Sequence, residues 1–219
     1  FVEIQSDSYV LVANNQSKTT VNFILKDRFG NVANNSFSQI AVFADGEAVL
    51  DPQADSNSEI FGNQLSTFEG KAGIDLFATD EAGEVEVIAL VMNRELEDLF
   101  LELGDDWRQI DFENYIGNTK TFEVLEDVNL EFNILGNDFN PVTSISANGS
   151  SVARIGVNLL SDDQIVEGYS GPINLTVLNE NLGDFASGPS ENMSHGVLNP
   201  ANANFRASNL AGEVEILVD

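Results

Sequence analysis

The chain contains no cysteine. Disulfide staples, a thiol nucleophile and a thiolate metal site are therefore all excluded. It contains one histidine, His195, so any Ser-His-Asp chemistry must pass through that single ring. There is no Gly-x-Ser-x-Gly elbow, no Gly-x-x-x-x-Gly-Lys and no Gly-x-Gly-x-x-Gly, which removes the usual serine-hydrolase and phosphate-loop signatures. Cations are scarce. Nine Lys and Arg stand against 36 Asp and Glu, a formal net charge of −27. A surface of that sign repels nucleic acid and anionic membrane, both of which need cationic contacts. It suits a salty or calcium-bearing exterior, and its ordinary role is solubility. No run of about 18 apolar residues occurs, so no transmembrane helix is expected. Nothing resembles a signal peptide. The first residue is Phe1 rather than Met, and Phe1-Val2-Glu3-Ile4 already reads as a strand, so the chain reads as a processed product or an excised piece.

What is present is a repeat. Hydrophobic residues make up 42% of the chain, enough to build real cores. "LFATDEAGEVEV" (Leu76 to Val87) matches "FRASNLAGEVEI" (Phe205 to Ile216) without a gap. Upstream, "VNFILKD" (Val21 to Asp27) resembles "VNLLSD" (Val157 to Asp162) with one residue slipped, and "ANNQS" and "ANGSS" precede them at similar distances. Order and spacing are kept, which implies two copies of one domain of about 90–100 residues each.

The repeated block reads as a β-hairpin. Ile74, Leu76 and Ala78 alternate, Thr79 to Gly83 turns, and Val85, Val87, Ala89 and Val91 share one face while Glu84 and Glu86 point outward. In the second copy Val214, Ile216 and Val218 are expected inward, with Glu213 and Glu215 outward. Val21, Phe23 and Leu25 form another strand, and Ile40, Val42 and Phe43 a further one, with Ile173, Leu175 and Val177 as its counterpart. Turn signals roughly every 8–12 residues argue an all-β sandwich in each copy. Between the copies, "NRELEDLFLELGDDW" places Leu96, Leu99, Phe100, Leu103 and Trp107 at helical spacing, with Asn93 as the cap. Leu99, Leu101 and Leu103 also alternate, so a strand competes with the short helix there. The expected division is a domain over 1–92, a packed connector over 93–118 and a second domain over 119–219.

"TTVNFILKDRFGNVANNSFSQIAVFADG", followed by "GKAGIDLFATDEAGEVEVIAL", resembles the bacterial immunoglobulin-like domains of invasin- and intimin-type adhesins. The Asp-x-x-Gly-Asn turn of that pattern is Asp27-Arg28-Phe29-Gly30-Asn31, and the hairpin glycines are Gly70 or Gly73, and Gly83. The second copy keeps Gly212 but replaces the turn with "SDDQIVEGYSG". "FEVLEDVNLEFNILGNDFNP" (Phe122 to Pro141) resembles the opening of cadherin-like adhesin repeats, through Glu126-Asp127 and Asn137-Asp138. The resemblance implies two tandem Ig-like β-sandwich domains and a structural or adhesive role.

Chemistry is sparse. Calcium is the one ligand the residues suggest, because hard cations want several oxygens from flexible loops. Asp51, Asp55, Asn57 and Glu59 form one candidate set, the last three alternating. Glu126, Asp127, Asp162 and Asp163 form another, with Asp105-Asp106 as a further candidate near the domain junction. The ordinary alternative is a series of acidic turns. His195, beside Ser194 and Gly196, reads as a solvated turn residue. Trp107, with Tyr115 nearby, reads as junction packing before it reads as a sugar platform. Lys26 and Lys71 lack an evident partner for an isopeptide bond. The Asn-x-Ser/Thr triplets at Asn15, Asn34, Asn148, Asn174 and Asn192 fit chance in an Asn-rich chain.

The resulting expectation is a non-catalytic module of a bacterial extracellular surface protein, a spacer or a subunit of a layer or filament. Its partners would be neighbouring domains or copies of itself through edge strands such as Phe1 to Ile4, or a cell-surface or glycan ligand. No enzyme activity, nucleic acid or membrane insertion is expected. The alternative is a polysaccharide- or ligand-binding accessory module of a secreted enzyme.

Overall fold

A computed structural model describes residues 1–34, 38–57, 59–111, 114–188 and 190–218. The chain divides into two compact units, Phe1–Glu126 and Asp127–Asp219.

Unit 1 holds β1 (Val2–Ser6), β2 (Val10–Val12), β3 (Lys18–Leu25), β4 (Gln39–Gly46), β5 (Ala48–Leu50), β6 (Asn63–Ser66), β7 (Lys71–Ala78), β8 (Gly83–Val91), α1 (Arg94–Leu103) and β9 (Gly117–Leu125). One sheet runs β1-β3-β7-β5 and the other β2-β9-β8-β4-β6. The alternating apolar residues meet between them. Val21, Phe23, Ile74 and Leu76 of the first sheet pack in one core with Val42, Val85, Val87, Phe122 and Val124 of the second. Glu84 and Glu86 point away, as period-two geometry requires.

The second sheet of unit 1 is covered on its other face too. Ala41, Phe43, Ile88 and Leu90 form a separate cluster with Leu96, Phe100 and Ile110. This explains why β4 reads Ile40-Ala41-Val42-Phe43 without alternation: a strand buried on both faces carries a continuous apolar run. The helix wins over the competing strand at 94–103. Asn93 caps it by accepting the Leu96 N–H at 2.8 Å, and Leu96 and Phe100 share its buried face. Phe100 meets Phe43 with ring centroids 5.2 Å apart.

Residues 93–118 are therefore not a connector between domains. Leu96, Phe100 and Ile110 of this stretch form an extra layer on unit 1, and the chain leads into β9, which pairs antiparallel with β8. The division falls after Glu126, not near residue 119. The sequence carried no mark of this, because β9 alternates as well as any first strand of a new domain would.

Unit 2 holds β10 (Asn129–Leu135), β11 (Val152–Ser161), β12 (Gln164–Ile165), β13 (Gly171–Val177), β14 (Gly183–Phe185), β15 (Ser190–Met193), β16 (Val197–Leu198), β17 (Asn204–Ala207) and β18 (Ile216–Val218). One sheet runs β10-β11-β17-β14, with β12 and β16 also on β11; the other runs β15-β13-β18. The duplication is thus a duplication of topology. β1-β3-β7-β5 corresponds to β10-β11-β17-β14, and β6-β4-β8 corresponds to β15-β13-β18. Registers agree: Val42 opposes Ala89 as Leu175 opposes Val218, the counterpart read from the sequence.

The pairing corrects three sequence-based expectations. First, β7 and β8 are not a hydrogen-bonded hairpin. They lie in different sheets, and Thr79–Gly83 crosses between them; β17 and β18 are likewise in different sheets. Alternation shows that each strand buries one face, not which strand lies beside it. Second, Thr19 opposes Leu76 and Ala153 opposes Phe205, so Phe23 corresponds to Val157. The "VNFILKD"/"VNLLSD" match is displaced from that register, whereas "ANNQS"/"ANGSS" fits it. Third, Ala211–Glu215 is not strand, and Val214 is 37% exposed rather than buried.

Candidate functional site

In the first acidic set, Asp51, Asp55 and Asn57 are engaged by local backbone, and Asp127 of the second set takes φ of 53° just after Glu126. Asp51 Oδ1 accepts the Gln53 N–H at 2.9 Å and caps a short 3-10 turn. Asp55 Oδ1 accepts the N–H groups of Asn57 and Gln64, at 3.0 and 2.9 Å. Asn57 Oδ1 accepts the Glu59 N–H at 3.2 Å. These are Asx turns. Asp162 and Asp163 have φ of 51° and 60° and join β11 to β12 where Ser161 opposes Gln164. Positive φ at both central residues is the demand of a two-residue type I′ hairpin, which short acidic side chains tolerate. Among the described residues no three His, Cys, Asp or Glu side chains gather closely enough to hold a metal ion. The side chains of Asp105 and Trp107 lie outside the description.

The Asp27 turn is built as its motif implies. Asp27 Oδ1 accepts the N–H groups of Phe29 and Asn31 at 2.8 and 3.0 Å, and Gly30 takes φ of 86°, open to glycine at no steric cost. The backbone N–H of Asn31, with those of Phe29 and Gly30 and the Asn31 amide, holds the Asp27 carboxyl below its ordinary range, against a smaller opposing desolvation. Lys18 and Thr20 do the same for Asp75 across the β3–β7 ladder, both at 2.7 Å. Arg108, beyond α1, pairs with Asp45 of β4 and lowers its carboxyl. Lys26 pairs with Glu3. His195 is exposed in the Ser194–Val197 turn, with Nδ1 2.9 Å from Ser194 Oγ. Phe1 to Ile4 is not a free arm: β1 pairs with β3 along its length, and only its outer side forms the sheet margin.

A broad concavity lies in unit 2. A cleft of about 600 Å³ opens between the inner face of the β10-β11-β17 sheet and the segments Val142–Ala147 and Leu210–Ile216. Ile134, Ile145, Ile155, Phe205 and Val214 line it, so its wall is mainly apolar. Sequence reasoning missed it, since its lining residues looked like ordinary core positions. The available signal was the absence of a strand-like run at Ser144–Ser146, where unit 1 has Val10-Leu11-Val12.

No protein-family model matches the chain. No curated protein matches it. Among solved structures, the D0-D1 domain of intimin is 16% identical, covering 99% of this chain and 89% of that one at a TM-score of 0.39. Invasin, a bacterial integrin-binding protein, is 15% identical over 100% of this chain and 36% of its own, at 0.37. A glycosyl hydrolase family 2 member from Bacteroides cellulosilyticus is 15% identical over 57% of this chain, at 0.40, and the match spans 14% of that enzyme's length. At TM-scores this low the likenesses carry no argument about activity or partner, and the architecture rests on the strand pairing itself. By that pairing and by its motifs, the chain is a tandem of two-sheet β-sandwich units resembling the immunoglobulin-like domains of intimin- and invasin-type adhesins.

Proposed function

We propose that the chain is a structural or adhesive module of a bacterial extracellular surface protein, acting as a spacer or as a subunit of a surface layer or filament. The observation that supports this reading most is the repetition of one strand order, β1-β3-β7-β5 with β6-β4-β8, in the second unit. Repetition of a whole module multiplies surface and length, which serves a holding role. Asp51, Asp55 and Asn57 accept backbone N–H groups that shape turns. A surface of net charge −27 keeps such a module hydrated in a saline exterior.

The test is adhesion. Beads coated with the chain are scored for clustering with one another and for attachment to cultured cells and to common polysaccharides. Attachment or clustering above that of beads coated with an equally acidic control protein is the expected outcome. No difference in any format would remove the adhesive part of the proposal.

A further inference from the structure

We propose that Asn148-Gly149, at the corner that precedes β11, is a site of spontaneous covalent modification: when the corner opens, Asn148 converts to aspartate or isoaspartate, and the closed corner holds the reaction back.

The sequence supplies the reactants. Asn148-Gly149 is the one Asn-Gly pair in the chain. Both residues are exposed, so water reaches them. In the reaction the Gly149 nitrogen attacks Cγ of Asn148. A nitrogen–carbon bond forms, the Cγ–Nδ2 bond breaks, and the proton of the Gly149 amide leaves with the departing ammonia. Water then opens the cyclic imide at one of its two carbonyls. One opening gives aspartate, and the other gives isoaspartate, whose backbone is longer by a methylene. Water is the only co-reactant. Glycine favours the attack because no Cβ crowds its nitrogen.

The structure supplies the restraint. The Gly149 N–H, which must give up its proton, donates to the Ser208 carbonyl at 3.2 Å. Asn148 Oδ1 accepts the N–H groups of Ser150 and Ser151 at 2.9 and 2.7 Å, and the Ser150 hydroxyl at 3.0 Å. Three donors thus fix the side-chain amide, while cyclisation has to bring Cγ onto the Gly149 nitrogen.

Unit 1 carries the same corner without the reactivity. Asn14 Oδ1 accepts the N–H groups of Gln16 and Ser17, and the Asn15 N–H donates to the Thr79 carbonyl at 3.3 Å. There the following residue is Asn15, whose side chain crowds its own nitrogen. The geometry is shared, and the reaction is confined to unit 2. Isoaspartate at 148 would insert a methylene ahead of Ser150 and Ser151 and separate them from Oδ1. The Ser151 carbonyl accepts the Ala207 N–H at 3.0 Å, so the change loosens the start of β11 where it meets β17.

The experiment ages the full chain at mildly alkaline pH, folded and in concentrated urea. Its peptides are then mapped by mass spectrometry, with fragmentation that separates aspartate from isoaspartate. In urea, Asn148 should convert ahead of every other asparagine. In the folded chain it should convert at least about tenfold more slowly, because the reaction waits for local opening. Gly149→Asn copies the corner of unit 1 and should bring Asn148 down to the rate of Asn14. The fold accommodates this change: Asn15 holds φ of 57° at the same place, and a Cβ at 149 would first meet the exposed Asn209 amide, at 3.1 Å. Asn15→Gly makes the reverse exchange and should create a second site at Asn14, likewise slowed by folding. Absence of conversion at Asn148 in urea overturns the site. Conversion as fast in the folded chain as in urea overturns the restraint, and an unreactive Asn14 in the Asn15→Gly chain overturns the role of glycine.

Discussion

Asn14 and Asn148 hold the same corner in the two units. Asn14 Oδ1 accepts the N–H groups of Gln16 and Ser17 at 2.9 and 2.6 Å; Asn148 Oδ1 accepts those of Ser150 and Ser151 at 2.9 and 2.7 Å. The next residue takes positive φ in both, Asn15 at 57° and Gly149 at 71°. Ser17 and Ser151 then each accept the N–H of the last residue of the crossing strand, Ala78 at 2.9 Å and Ala207 at 3.0 Å. A side chain that holds two backbone donors in one geometry sets where the following strand begins. Asn14→Ala and Asn148→Ala should each cost about 1 kcal/mol, by the usual net worth of such bonds. Urea denaturation checks this, with similar losses expected from both substitutions.

β9 completes unit 1, so Phe122→Ala should be far more costly than a corner substitution. A fully buried phenylalanine truncated to alanine loses about 3–5 kcal/mol. Unit 1 should lose its cooperative transition at much lower urea. An effect within about 1 kcal/mol, the scale of a surface change, would show that β9 is dispensable.

The helix layer makes a separate prediction. Phe100→Ala removes the ring that meets Phe43 and should destabilise unit 1 by about 3–5 kcal/mol. If 93–118 were a bare connector, the same change would leave the denaturation midpoint in place. Arg108→Ala, which breaks an exposed pair with Asp45, should leave the denaturation midpoint nearly in place, because solvent screens such a pair.

Acid should act through Asp75. Lys18 and Thr20 hold its folded pKa below the ordinary carboxylate value. A depressed folded pKa contributes stability that is fully present above the unfolded pKa and is lost as pH falls through the folded one. Asp75→Asn should therefore lower the Tm at neutral pH, and the gap from the natural chain should close as pH drops below the depressed value. A gap that persists undiminished at the lowest pH would show that charge plays no part.

Calcium dependence can be read by the same melts. Asp55 is engaged by the N–H groups of Asn57 and Gln64, so Asp55→Ala should destabilise unit 1 by about 1–2 kcal/mol with or without calcium. A Tm that rises with millimolar calcium in the natural chain, and not in Asp55→Ala, would instead assign this loop to an ion.

Much of the architecture was legible in local pattern. Val21, Phe23 and Leu25 alternate and are buried, Asn93 caps the helix it precedes, and Ile40 and Val42 find their counterparts in Ile173 and Leu175. These features depend on periodicity and on hydrogen bonds between residues a few positions apart, which the order of side chains determines directly. The tertiary structure alone decided that β7 and β8 lie in different sheets, that β9 closes the unit before it, and that Val214 stands open where Val85 is sealed. A period-two pattern states that a strand has one apolar face. It is silent on which distant strand covers that face, because the cover is supplied by contacts across the whole chain.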